Sequence, residues 1–354
     1  MAFRPRYRIT GQIARNLMRI EAARQAVSSL PLNPAVLAGL RDSARLMSTH
    51  YSTQIEGNRL TPAQIRTVLQ RGQATRRRGR DEDEVRGYYT ALAYAESYAG
   101  SSKSIDERFV QQLHALVMGG GRKRCRPSAY RDGQNVIRDA RSGAIVYLPP
   151  ESNDVPLLMA ELFHWMNSRA AVDPAPLVAG IVHYQFATIH PYYDGNGRVA
   201  RLLTSTLLRR HGYDLRGIYN LDEYYAKRLD EYYARLQVGK SHNYYMGRAS
   251  ADITRWNAFF IHGMADSFEA VRQMMQRHAS LTDDTALIRS LDARQRKVLA
   301  LFDEWDEITS AQVAEVLRLS PRGVRRLLRQ WVIDGFLVVG DPSKRGRSYR
   351  LAIR

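Results

Sequence analysis

From residue 9 to residue 30, apolar side chains recur at three- and four-residue spacing, Ile13, Leu17, Ile20 and Ala23 among them. That period predicts an amphipathic helix, ended by Pro31 and Pro34, which cannot donate a helical hydrogen bond. Residues 36–55 repeat the pattern and stop at Gly57-Asn58, a plausible C-terminal stop. Thr61-Pro62-Ala63-Gln64 then reads as an N-cap, a first-turn proline and a capping-box glutamine. Further helices are predicted at 81–99, 105–118, 155–168, 177–188 and 196–210, with more to about residue 280. Residues 100–104 are a short Gly-Ser joint, and 119–150 break the helical period. There, two β-branched runs at 135–138 and 144–147 flank a turn containing Gly143, and Pro149-Pro150 follows, which reads as a hairpin.

Residues 280–285 are the expected linker, because the pattern changes beyond them. Helices are predicted at 292–302, at 309–317 with Thr309 as N-cap, and at 320–334, opened by Ser320-Pro321. Strands are predicted at 336–339 and 348–353, joined by the basic stretch 340–347, which holds Lys344, Arg345 and Arg347. Three helices and a basic hairpin make a winged helix-turn-helix pattern. No internal repeat or low-complexity tract interrupts the chain, and the expected fold is mainly α.

Length, composition and charge narrow the picture further. A chain of 354 residues is longer than one core usually holds. The net charge of +18 favours polyanionic partners, nucleic acid, nucleotides or acidic protein faces, without choosing among them. The run Arg76-Arg77-Arg78-Gly79-Arg80 reads as a solvated loop. The lone cysteine, Cys125, has no internal partner for a disulfide and reads as a bystander thiol in a basic stretch. Residues 1–10 have no signal-like apolar core, and no window approaches the roughly 18 apolar residues of a membrane span. A cytoplasmic location with no membrane partner is the expectation.

The candidate chemistry lies in His190-Pro191-Tyr192-Tyr193-Asp194-Gly195-Asn196-Gly197-Arg198-Val199-Ala200-Arg201. Glycines at a helix start let backbone amides approach a phosphate, and the helix dipole adds positive potential. Arg198 and Arg201 share one face of the first turn, where their forks can clamp phosphate oxygens. Asp194 can hold a Mg²⁺ that also bridges phosphates, and His190 is a natural general base for a hydroxyl nucleophile. The Walker and kinase signatures are missing, and an EF-hand reading fails for want of alternating oxygen ligands. His164, His183 and His211 fit no zinc spacing and read as structural.

This segment resembles the signature of the Fic family, His-Pro-Phe-x-Asp/Glu-Gly-Asn-Gly-Arg-x-x-Arg, with Tyr192 in place of phenylalanine. Residues 179–189 also look like the family's preceding helix, and the resemblance spans roughly residues 46–260. It implies a Fic-type helical core whose hairpin is a flap that aligns an extended target by strand addition. It implies that His190 deprotonates a protein hydroxyl and Asp194 binds Mg²⁺. Gly195, Asn196 and Gly197 would hold the α- and β-phosphates of ATP, and Arg198 and Arg201 the outer ones. The implied activity is AMP transfer from ATP to a Ser, Thr or Tyr hydroxyl, self-modification included, by an enzyme that is often a homodimer. Ser52-Thr53-Gln54-Ile55-Glu56-Gly57 is similar to the family's inhibitory motif, in which the glutamate pairs with the second signature arginine, here Arg201, and keeps ATP from binding productively. Tyr232 and Tyr233 resemble a tyrosine pair at the base pocket of relatives, or are core; the asparagine that relatives often place seven residues later is Lys240 here. Tyr147 is expected to pack rather than line the flap.

The expected division is residues 1–100 for the inhibitory region, 101–280 for the catalytic core and 288–354 for the winged helix. Arg322, Arg325, Arg326 and Arg329 form a basic stripe at helical spacing that fits DNA phosphates, or is a solvated face. Two alternatives to AMP transfer stay open: removal of AMP or use of another donor at the same site, and a DNA-binding regulator whose Fic domain senses nucleotide.

Overall fold

The computed structural model describes residues 3–30, 34–71, 79–138, 142–239, 241–281, 291–303, 305–343 and 347–352. The arginines at 76–78, the turn at 139–141, Lys240, the linker from 282, Lys344 and Arg345 lie outside these. The fold is mainly α, and the chain divides into two compact units. One comprises Met1–Arg24, Arg45–Leu215 and Tyr219–Glu269; the other comprises Gln25–Ala44, Arg216–Ile218 and Ala270–Arg354.

The N-terminal helices are α1 (Gly11–Ser29), α2 (Pro34–Ile55), α3 (Pro62–Gln70), α4 (Arg80–Ala99) and α5 (Glu107–Val117). Helix α2 ends where Gly57 takes a φ of +94°, a left-handed turn that favours glycine. Thr61 caps α3 through the expected capping box with Gln64. Asp106 caps α5 by accepting the Phe109 N–H. The hairpin follows as β1 (Ile137–Arg138) and β2 (Ile145–Tyr147), antiparallel, with Ile137 opposite Tyr147 and an irregularity after it.

Helices α6 (Val155–Arg169), α7 (Ala175–Ile189) and α8 (Asn196–Arg210) complete the framework of the first unit. Every residue of α7 from Ala175 to Phe186 is buried, so this apolar helix is the centre of the unit rather than one of its faces. It packs against α6 and α8, while α4 packs against α5 and α8. Two glycines set the spacing. A Cβ on Gly180 of α7 would lie 2.9 Å from the Phe260 ring, and one on Gly87 of α4 would lie 2.2 Å from the Val117 carbonyl oxygen of α5. Trp256 sits over the first of these and donates its indole N–H to the Gly180 carbonyl at 2.7 Å. Beyond α8 come α9 (Asp222–Lys227), α10 (Leu229–Leu236) and α11 (Thr254–Leu281).

The second unit contains α12 (Ala293–Leu299), β3 (Ile308–Thr309), α13 (Ser310–Leu317), α14 (Pro321–Ile333), β4 (Leu337–Val339) and β5 (Ser348–Leu351). Its three strands are antiparallel in the order β3-β5-β4. Phe302, Ile308, Val313, Val324, Leu328, Trp331 and Leu337 form its core. Strand β3 goes beyond the two strands read from sequence. It is two residues long, too short for a period of two to show, and its Thr309 also caps α13. Arg41 of α2 belongs to this unit, donating to the Phe302 carbonyl and pairing with Asp306 at 3.1 Å. Among the described residues, no helix is long and apolar enough to cross a membrane.

Candidate active site

The signature segment is the link between α7 and α8. His190 closes α7 as a left-handed residue at φ 52°, ψ 61°, and its N–H still bonds the Phe186 carbonyl. A non-glycine residue in this region carries strain of about 1–2 kcal/mol, so surrounding bonds must hold it. The imidazole Nδ1 lies 3.3 Å from the Ala187 carbonyl oxygen. A carbonyl only accepts, so Nδ1 carries the proton and Nε2 keeps its lone pair for another partner. Burial holds the imidazole well below its ordinary range, at about 4; the Ala187 bond opposes the shift, and the Arg131 charge adds to it. His190 is therefore neutral near pH 7.

Gly195 turns the chain into α8 at φ 78°, where a Cβ would also approach the Met118 sulfur and the His114 ring. The loop before it is closed by Asn196, whose Oδ1 accepts the Tyr192 N–H at 3.0 Å and whose Nδ2 donates to the Tyr192 carbonyl at 2.7 Å. The side-chain amide of Asn196 thus shapes the loop, and a phosphate placed here would meet the backbone amides of the first turn instead. His114 of α5 stacks on Tyr192 at 3.7 Å between ring centroids and bonds the Asp194 carbonyl through Nε2 at 3.0 Å. Nothing in the spacing of the sequence marked His114, because its partners lie about 80 residues away.

Asp194 is more than half exposed; its Oδ1 accepts the Gly195 N–H at 2.6 Å and lies 3.1 Å from Arg198 Nη2. A single exposed carboxylate beside a phosphate cradle suits Mg²⁺, which takes few protein ligands and completes its shell with phosphates and water. Among the described residues, no group of three His, Cys, Asp or Glu side chains could hold a metal.

Arg201 is buried, and its bonds converge on α2. Its Nε donates to Ser52 Oγ at 2.7 Å, and its Nη2 donates to the Ser52 carbonyl at 2.8 Å and to Glu56 Oε1 at 2.9 Å. The same Glu56 oxygen stands 2.3 Å from where a Cβ on Gly197 would be. Glu56 therefore lies against the backbone of the first turn of α8, in the space a phosphate on those amides would use. Asp222, unmarked in the sequence, is a second carboxylate facing Arg201, 3.5 Å from Nε. It accepts Ser48 Oγ at 2.7 Å and the Tyr88 hydroxyl at 3.3 Å. Burial raises its carboxyl above the usual range, while Arg201, Ser48 and Tyr88 pull it down.

The tyrosine pair splits. Tyr232 is buried, its hydroxyl 2.9 Å from His183 Nε2. Thr204 gives its own proton to the Ala200 carbonyl, so His183 Nδ1 donates to Thr204 and Nε2 accepts from Tyr232. Tyr232 is thus joined to the core through a structural histidine. Tyr233 is 42% exposed, its hydroxyl 3.4 Å from the Ile55 carbonyl at the end of α2, close to Glu56. Tyr147 packs inward and donates to the Thr188 carbonyl at 2.6 Å. On α14, Arg322, Arg325, Arg326 and Arg329 are all exposed, opposite buried Val324, Leu328 and Trp331. Cys125 is partly exposed and stands outside the site, with its Sγ 3.5 Å from the Arg122 carbonyl oxygen.

Comparisons with known proteins agree with this geometry. Residues 104–208 match the Fic/DOC family. Protein adenylyltransferase Fic of Drosophila grimshawi is 33% identical over 207 residues, and that of Drosophila virilis 32%. Each alignment covers 56% of this chain, and the chain spans only 40% of the length of these relatives. The crystal structure of a Fic family protein from Desulfovibrio desulfuricans G20 superposes with a TM-score of 0.61 over 99% of both chains, at 24% identity. With the signature loop, its flanking helices and the hairpin in place, residues 104–208 are similar to the Fic/DOC family, and the fold is that of a solved Fic family protein.

Proposed function

We propose that this chain transfers AMP from ATP to a hydroxyl of a protein, itself included, and that Glu56 holds the activity down. The observation that carries the reading is the juxtaposition, in one loop, of a neutral His190 with Nε2 free and a helix start bearing Asp194, Arg198 and Arg201. ATP would lie with its phosphates on the amides around Gly195 and Gly197, its outer phosphates facing the two arginines. His190 Nε2 takes the proton as the target oxygen attacks the α-phosphorus; the new O–P bond forms as the bond to the bridging oxygen breaks, and pyrophosphate leaves. Asp194 would hold Mg²⁺, which supplies charge neutralisation on the phosphates. The N-terminal region, residues 1–100, supplies the brake, and residues 101–280 the chemistry; the target is a Ser, Thr or Tyr side chain, and the working form a cytoplasmic homodimer.

ATP labelled on the α- or on the γ-phosphate tests this directly. Transfer of the α label alone to protein is the expected result. Transfer of the γ label would replace the reading with phosphorylation, and transfer of neither with another donor, AMP removal or nucleotide sensing.

The exposed arginine face of α14 favours a second activity, in which residues 288–354 act as a winged helix whose α14 grips duplex DNA through its phosphates. Anisotropy titrations over a salt series should show affinity falling steeply with salt. Arg325→Ala with Arg326→Ala should flatten the slope of log K against log salt by about two. An unchanged slope in the double variant assigns these arginines to solvent.

A further inference from the structure

The backbone of His190 is held by a residue outside the signature. Arg131, in the loop between α5 and β1, is 4% exposed, and nearly its whole guanidinium is bonded to backbone carbonyls. Its Nε donates to the carbonyl of His190 at 3.0 Å, its Nη1 to that of Gly133 at 2.9 Å, and its Nη2 to that of Pro150. Its own N–H bonds the Pro191 carbonyl at 2.9 Å. One side chain thus joins the left-handed His190 to both feet of the hairpin, Gly133 before β1 and Pro150 after β2. Neighbouring bonds run the same way: Asn135 Nδ2 to the Tyr192 carbonyl at 3.2 Å, and the Tyr193 hydroxyl to Asp132 at 2.8 Å.

We infer that Arg131 is the positioning residue for His190, fixing the strained backbone that aims the imidazole and making the hairpin and the base one rigid piece. The inference rests on His190 acting as the base. Three charge-assisted bonds to carbonyls together offset the strain of one left-handed residue. A buried guanidinium behind the loop also disfavours a second cation there, in keeping with a neutral imidazole. The charges that bear on the His190 ring are Arg131, Glu56 and Asp194. A target strand laid on the hairpin would therefore meet a base at a set distance.

The test uses the full chain carrying Glu56→Gly, with His190 assigned by NMR through loss of its signals in His190→Ala. In Arg131→Gln, the His190 signals should move and the imidazole should titrate at higher pH. The kcat of AMP transfer should fall by about 10- to 100-fold with KM for ATP little changed, the loss that a misplacement of about 1 Å produces. Arg131→Lys restores the charge but not the three-carbonyl fork, so it should recover the titration and only part of kcat. A folded Arg131→Gln protein with His190 signals and titration unchanged overturns the inference, as does a change confined to KM. If Arg131→Gln does not fold, full kcat in Arg131→Lys overturns it instead. The NMR arm needs no turnover, so it answers even if the chain does not transfer AMP.

Discussion

Under the proposed function, Glu56→Gly should raise the rate of AMP transfer by about 10- to 100-fold, equivalent to about 1.4–2.8 kcal/mol of closed-state stabilisation. The argument is occupancy as well as charge. Glu56 Oε1 holds Arg201 at 2.9 Å and stands against Gly197, so a phosphate on the amides of α8 needs both the partner and the space that the glutamate uses. Removing the side chain frees both, and Asp222 and the Ser52 carbonyl remain to hold Arg201. Glu56→Gln should fall between wild type and glycine, because it removes the charge and keeps the bulk over Gly197. Intact mass over a time course with ATP and Mg²⁺ reads the rates. Equal adduct formation in wild type and Glu56→Gly sinks the brake.

On the same proposal, His190→Ala, made in the Glu56→Gly background, should lower transfer by about 10²- to 10⁴-fold, the range that a positioned general base contributes. ATP binding should persist, since the proposed phosphate contacts are on α8 and not on His190; retained binding with lost turnover separates this from misfolding. The pH dependence has a definite sign. The folded-state value of about 4 lies below the usual histidine range, so Nε2 is free to accept a proton from pH 5 upward. The base should therefore put no inflection near pH 6.5 in kcat/KM, and the rate should fall as the pH drops toward 4. A limb that rises through pH 6.5 would show that the imidazole is solvated in the working enzyme, while leaving it as a candidate base.

The most legible parts of this chain are those where local chemistry is one-dimensional. Helix α8 starts at Asn196 and ends at Arg210, as its period and the glycine before it predict. The Thr61 and Thr309 caps, the hairpin and the approach of Glu56 to Arg201 also lie where spacing or resemblance put them. What escaped is the buried polar framework. Asp222, Ser48 and Tyr88 meet only around Arg201, and His114 meets Tyr192 only because α5 packs on α8. A polar residue on a buried face breaks the hydrophobic period and reads from sequence as a solvent position. Asn196 and Tyr232 show the converse. Asn196 reads as phosphate-facing and Tyr232 as base-facing or core, and their hydrogen bonds go to the loop backbone and to His183. Strand β3 was too short to read.

Glu56 also has a consequence for how the protein answers its surroundings. A carboxylate built into the same chain as the cradle is a tethered ligand, and its effective concentration is set by the geometry of α2 rather than by how much protein is present. Dilution cannot release it, and specific activity under the proposed mechanism should be constant across protein concentrations in any fixed oligomeric state. Raising ATP displaces it only in proportion to the nucleotide's advantage for the open form. The effective signals are then those that move the end of α2 itself, and a cell could set the activity without changing either the enzyme's abundance or its nucleotide supply.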